Sequence, residues 1–142
     1  MSKYHGKDSY FSIEEAGSST LRAIGDYCDS IDFERNTDLA DSTTIGLEDK
    51  TFLSGLTGGS VNLSGRWDDT ATSGPDVVLS SLVGNEGSQT WEFGPAGNGT
   101  GKTKYTGEAF LEKYQVSAPL EGVVKFTAAF RITGAVTKST FA

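Results

Sequence analysis

The residues with the clearest chemical potential are Ala96-Gly97-Asn98-Gly99-Thr100-Gly101-Lys102-Thr103, a relaxed phosphate-loop pattern with Ala where the strict form has Gly. Such a loop holds phosphates when it follows a strand and opens a helix, whose N-terminal amides face the anion in a parallel α/β sheet. Here Thr106-Gly107 follows at once, the next segment reads as well as a strand, and the chain has no alternating strand and helix units. A Gly-rich hairpin connection of the kind Asn-Gly favours is the expected form. The rival reading is a small nucleotide hydrolase using Lys102.

Other reactive types are weaker. Carboxylates pair at Glu14-Glu15, Glu48-Asp49 and Asp68-Asp69. A glycosidase needs two carboxyls facing one another across a cleft, and neighbours on a strand point apart. Asp29, Asp32, Glu34, Asn36 and Asp38 have acidic spacing but lack the Gly and terminal Glu of a calcium loop. The single Cys28 and single His5 exclude an internal disulfide and a His-rich metal site, and no third residue orients them as a dyad. Cys28 is expected as a small buried side chain. Asn62-Leu63-Ser64 and Asn98-Gly99-Thr100 fit a glycosylation pattern that carries no weight without a secretory signal. Trp67 and Trp91 would suit a sugar platform, but Trp67 shares the apolar row of its strand and is expected in the core. The sequence therefore predicts no enzyme, no cofactor and no metal.

Composition sets the class. Of 142 residues, 36% are hydrophobic, with eight Phe, five Tyr and two Trp, while eighteen Gly against three Pro fit many short turns. A single mainly β domain follows. The net charge of −7 argues against an electrostatic nucleic-acid clamp, which needs clustered Lys and Arg to displace counterions. The first residues, Met1-Ser2-Lys3-Tyr4-His5-Gly6, lack the apolar stretch of a secretory signal, and no apolar run reaches the ~18–20 residues of a membrane helix. Production in a cytosol and no membrane insertion are the expectations.

The elements that must position these residues are read from periodicity. Residues 1–8 and 135–142 read as terminal arms, 9–13 as a short strand, and 20–35 as a longer one with a bulge at Gly25. Residues 36–50 are polar, acidic and Thr-rich, and read as a long inter-strand loop. At 60–68, Val61, Leu63, Gly65 and Trp67 alternate with Asn62, Ser64 and Arg66. Pro75-Asp76 before an apolar 78, 79, 82, 83 spacing and Gly84 predict a short flanking helix over 76–83. Trp91-Glu92-Phe93 reads as a strand. The clearest signal is the closing hairpin, 105–134, where Val124, Phe126, Ala128, Phe130 and Ile132 alternate with Lys125, Thr127, Ala129, Arg131 and Thr133. So long a two-faced hairpin in a small protein suggests a partner surface.

Taken in order, these features resemble the major tail proteins that build the tail tubes of long-tailed, non-contractile bacteriophages. The matching stretches are Ile24-Gly25-Asp26-Tyr27 with Ser30-Ile31-Asp32-Phe33-Glu34, Asp41-Ser42-Thr43-Thr44-Ile45-Gly46 with Phe52-Leu53-Ser54-Gly55-Leu56, Ser60 through Asp68, and Tyr114 through Gly134. The resemblance implies a β-sandwich or barrel flanked by one helix, assembling into stacked hexameric rings that form the conduit for DNA delivery. A sheet from each subunit would join its neighbours in one inner barrel, removing open edges. It further implies a virion location after synthesis in the host bacterial cytoplasm, with a tape measure protein inside the tube and tail-end proteins as partners. DNA would pass without specific binding. Asp38, Asp41, Glu48 and Asp49 are then the candidate inter-ring contacts. Asp32, Glu34, Asn62, Ser64, Lys125, Thr127 and Arg131 are candidates for the lumen or for contacts between subunits. The rivals are another tail or secretion-tube component of the same fold and a β-sandwich binding or decoration module.

Overall fold

A computed structural model describes residues 4–16, 20–71 and 74–142. Among them the strands are β1 (Tyr10–Glu14), β2 (Leu21–Arg22), β3 (Cys28–Asp41), β4 (Phe52–Arg66), β5 (Gln89–Gly94), β6 (Thr103–Ser117) and β7 (Lys125–Thr140), with one helix, α1 (Pro75–Leu82). All strand pairs are antiparallel in one sheet of order β2-β1-β5-β6-β7-β4-β3.

The sheet is rolled. The two-residue alternation of β4 and β7 puts Val61, Leu63, Phe126, Phe130 and Ile132 on the inner face, where they meet Phe11 and Ile13 of β1 and Trp91 of β5. Phe33 of β3 lies 5.4 Å from Trp91, 5.9 Å from Phe93 and 5.1 Å from Tyr105, centroid to centroid. The end strand β3 thus faces β5 and β6 across the core instead of continuing away from it. Helix α1 closes one end with buried Val78, Leu79 and Leu82. Its Asp76 accepts a 2.9 Å hydrogen bond from the Tyr114 hydroxyl of β6, which ties helix to sheet.

Several boundaries differ from the sequence reading. The strand expected over 20–35 is broken: β2 is followed by a 3-10 turn, Ile24–Tyr27, before β3 begins. Gly25 is no strand bulge but the point where this turn approaches β1, because a Cβ there would lie 2.8 Å from the Phe11 nitrogen. The loop expected over 36–50 is strand as far as Asp41. The helix starts at Pro75 and releases Val83 in extended conformation. The closing hairpin is longer than 105–134, with Thr103 opposite Thr140. The C-terminal arm expected over 135–142 is therefore mostly β7. Its end is fixed by Phe141, whose ring sits edge-on to Tyr10 at 5.7 Å and under the Lys104 amine at 5.4 Å. Of the N-terminal arm over 1–8, residues 1–3 lie outside the described residues, and Gly6–Asp8 form a 3-10 turn capped by His5.

One close approach makes a sharp test of the packing. A Cβ on Gly65 of β4 would collide with the Tyr27 carbonyl oxygen and lie 2.6 Å from the Cα of Cys28. Both obstacles are backbone and cannot rotate away. Gly65→Ala is expected to destabilise the fold by about 1–3 kcal/mol, read as a lower urea midpoint with an unchanged slope.

Candidate assembly surfaces

Among the described residues β3 pairs only with β4, on one side, leaving its other side free along fourteen residues. β5 pairs with β6 from Phe93↔Tyr105 to Gln89↔Ala109, so β6 beyond Ala109 also has a free side. The block β6-β7-β4-β3 consequently carries a long unpaired edge on each flank among the described residues. An unpaired row of backbone N–H and C=O groups is a template for another strand.

Between these edges the outer face is polar, because the inward residues take the apolar positions. Three rows cross it: Ser30, Ser64, Thr127, Gln115; Asp32, Asn62, Ala129, Lys113; and Glu34, Ser60, Arg131, Phe110. The structure thus gathers Asp32, Glu34, Asn62, Ser64, Thr127 and Arg131 on one surface, with Lys125 next along β7 opposite Arg66. Arg66 pairs with Asp29 at 3.0 Å and Arg131 with Glu112 at 3.2 Å. Both pairs are half exposed, so each contributes no more than about 1 kcal/mol. Within and beside these rows Asp29, Asp32, Glu34 and Glu112 stand against Arg66, Lys113, Lys125 and Arg131, with Glu108 of β6 further along the same side opposite Thr133. Most of the acidity of the whole chain is carried elsewhere.

Some of it lies on a two-stranded ribbon where β3 and β4 run past the core, over 36–41 and 52–57. With no core beneath it, its side chains are exposed on both faces. Its tip, 42–51, is laced by polar bonds: Ser42 and Thr51 share a 2.9 Å hydroxyl contact, and the Thr51 nitrogen donates to Thr43 Oγ1 at 2.8 Å. The Thr43 nitrogen donates to the Asp41 carboxylate at 2.8 Å, and hydrogen bonding from the Thr43 side chain, then from its backbone, holds that carboxyl below the usual range. Of the acidic candidates, Asp38 and Asp41 are on β3 and Glu48 and Asp49 are in the tip. The apolar character of the ribbon escaped the sequence reading. Leu39, Ile45, Leu47, Phe52, Leu53 and Leu56 are all exposed there. The signal was present as Phe52-Leu53 and Leu56 beside Gly and Ser, masked by the acidic run before them.

The remaining chemical candidates are structural. The connection after β5 joins antiparallel neighbours and leads into β6, not a helix, and the Lys102 amine lies 4.9 Å from the Tyr4 ring centroid. Trp91 is fully buried and Trp67 is half-buried against the core, so neither offers a platform. Burial, then Asp29 and Asp26, push the Cys28 thiol up to about 12, far from thiolate chemistry at neutral pH. Among the described residues no group of three or more His, Cys, Asp or Glu could hold a metal ion. No helix there is long and apolar enough to cross a membrane.

No family model and no curated protein matches the sequence. Solved structures do match the fold. The chain superposes on a chain from the tail of an empty GTA particle, refined with C6 symmetry, at a TM-score of 0.81 and 15% identity, covering 97% of this chain and 100% of that one. The SPP1 tail tube gives 0.79 at 10% identity, with 97% and 80% covered. This is the tail-tube fold. The likeness extends to the sheath-tube complex of the extracellular contractile injection system PVC, at a TM-score of 0.68 and 10% identity, over 97% of this chain and 92% of that one. The tail-tube fold is therefore similar here to chains from both contractile and other tubular assemblies. At these identities the backbone is alike while most side chains differ.

Proposed function

We propose that this chain is a structural virion protein, the subunit of a non-contractile phage tail tube, and that it works by self-assembly without catalysis. The observation that carries this reading is the pair of free edges flanking β6-β7-β4-β3. Those four strands alternate in direction, so β3 of one copy meets β6 of the next in antiparallel sense, and repetition around an axis closes a barrel with no edge left over. Hexameric rings are the form this reading takes. The polar face bearing Asp32, Glu34, Asn62, Ser64, Lys125, Thr127 and Arg131 lines the lumen. Its mixed charge gives passing DNA no continuous cationic track to adhere to.

The ribbon then bridges rings. Stacking is a head-to-tail contact between unlike surfaces, which does not close and so makes a filament. Asp38, Asp41, Glu48 and Asp49 supply polar contacts at the ring junction around the apolar side chains that anchor it. A tape measure protein in the lumen, tail-end proteins at the termini and a virion location after synthesis in the bacterial cytoplasm complete the proposal.

Negative-stain microscopy of the purified protein over a range of concentration and salt tests it. Rings or hollow tubes are expected. A monodisperse monomer under every condition would overturn the assembly reading and favour a free-standing binding module.

A further inference from the structure

We infer that a groove at the start of β3 is the socket for the β6–β7 turn of the neighbouring copy in the same ring. The inference rests on the edge-to-edge reading above and adds a specific lock to it. The groove opens between the N-terminal 3-10 turn and the first residues of β3, and its lining includes His5, Gly6, Lys7, Cys28, Asp29 and Ile31. It lies on the free side of the sheet, where no strand among the described residues pairs with β3.

The occupant follows from the topology. Cys28 lies opposite Gly65, Gly65 opposite Phe126, and Phe126 opposite Val116, so the β6–β7 turn is at the same end of the block as the groove. When the β6 edge of a second copy lies along β3, that copy's turn is carried to the groove mouth. The turn is built to be covered: Leu120 is 101% exposed and Val123 55%, with Glu121 between them. Two uncovered aliphatic side chains gain by leaving water against Ile31 and the glycine backbone. Glu121 meets the exposed Lys7 amine at the rim, while Asp29 on the far wall is engaged by Arg66. A charge at the rim fixes register more than it adds affinity.

The test uses full-length chain assembled into tubes. In a Cys28→Ser background, Lys7→Cys with Leu120→Cys is oxidised and run on a denaturing gel, beside chains carrying either cysteine alone. A ladder from dimer upward that ends at one closed species is expected only from the double variant. Tubes that form normally yet give no ladder overturn the socket while leaving the edge-to-edge reading intact. Wild-type protein that forms no rings or tubes overturns both. A second measurement covers variants that assemble poorly: Glu121→Lys is expected to raise the assembly threshold about tenfold, and adding Lys7→Glu to restore it. Failure of that rescue also counts against the socket.

Discussion

Leu53→Asp combined with Leu56→Asp is expected to leave a folded chain that no longer forms tubes. Both side chains are on the ribbon, 64% and 81% exposed, so the isolated subunit loses no buried contact when they change. In an assembly they would be covered, and burying a leucine is worth about 1.5–3 kcal/mol. Losing two and placing two carboxylates in an apolar junction weakens each contact by roughly a hundredfold or more. A filament needs that contact at every repeat, so the loss acts at every junction along the tube. Rings without stacking, with unchanged thermal unfolding of the subunit, are the expected pair of observations by microscopy and calorimetry. Normal tubes would place the junction elsewhere.

Trp91→Ala carries the largest expected cost to the fold itself. The indole is fully buried, stacks on Phe11 at 6.4 Å, touches Phe33, and lies against the Gly107 backbone position. Removing it empties the place where β1, β3, β5 and β6 meet. The transfer and cavity costs together come to about 3–5 kcal/mol, a large part of the ~5–15 kcal/mol that stabilises a domain. Trp91→Phe is expected to cost less, since the indole nitrogen has no hydrogen-bond partner among the described residues and its loss strands no acceptor. Urea unfolding of the three proteins orders them wild type, Phe, Ala. A different order would mean that the core is not centred on this ring.

Where a core lies beneath a strand, the sequence was readable. The alternation at 60–68 and 124–133 identified the inner row and the outer row of β4 and β7, and Pro75 with Gly84 bracketed the helix to within a residue at each end. Burial periodicity exists only where one face is buried, which is why 36–41 read as loop although it is strand. The C-terminal end was hidden for another reason. A lone Phe141 after Thr137, Lys138, Ser139 and Thr140 has no periodic signature, and its place between Tyr10 and Lys104 depends on chain far away in sequence. The candidate face was partly legible, since alternation alone put Asn62, Ser64, Lys125, Thr127 and Arg131 on the polar side. The two free edges were not, because strand order is a tertiary property that no local pattern encodes.

The ribbon leaves the body at a weak point in the ladder. Pairing slips between Thr37 and Leu39, opposite the stretch from Ser54 to Thr57 that contains Gly55, and the next partners of β3 toward the body are Gly58 and Gly59, so the ladder is disrupted at the slip and side-chain bracing beside it is sparse. If rings are joined through this ribbon, a bending load on the filament concentrates at that slip, and the barrel wall is spared. The stiffness of the whole tube is then set by a few residues outside the core, and shortening the bulge by one residue becomes a way to change its persistence length without touching its bore.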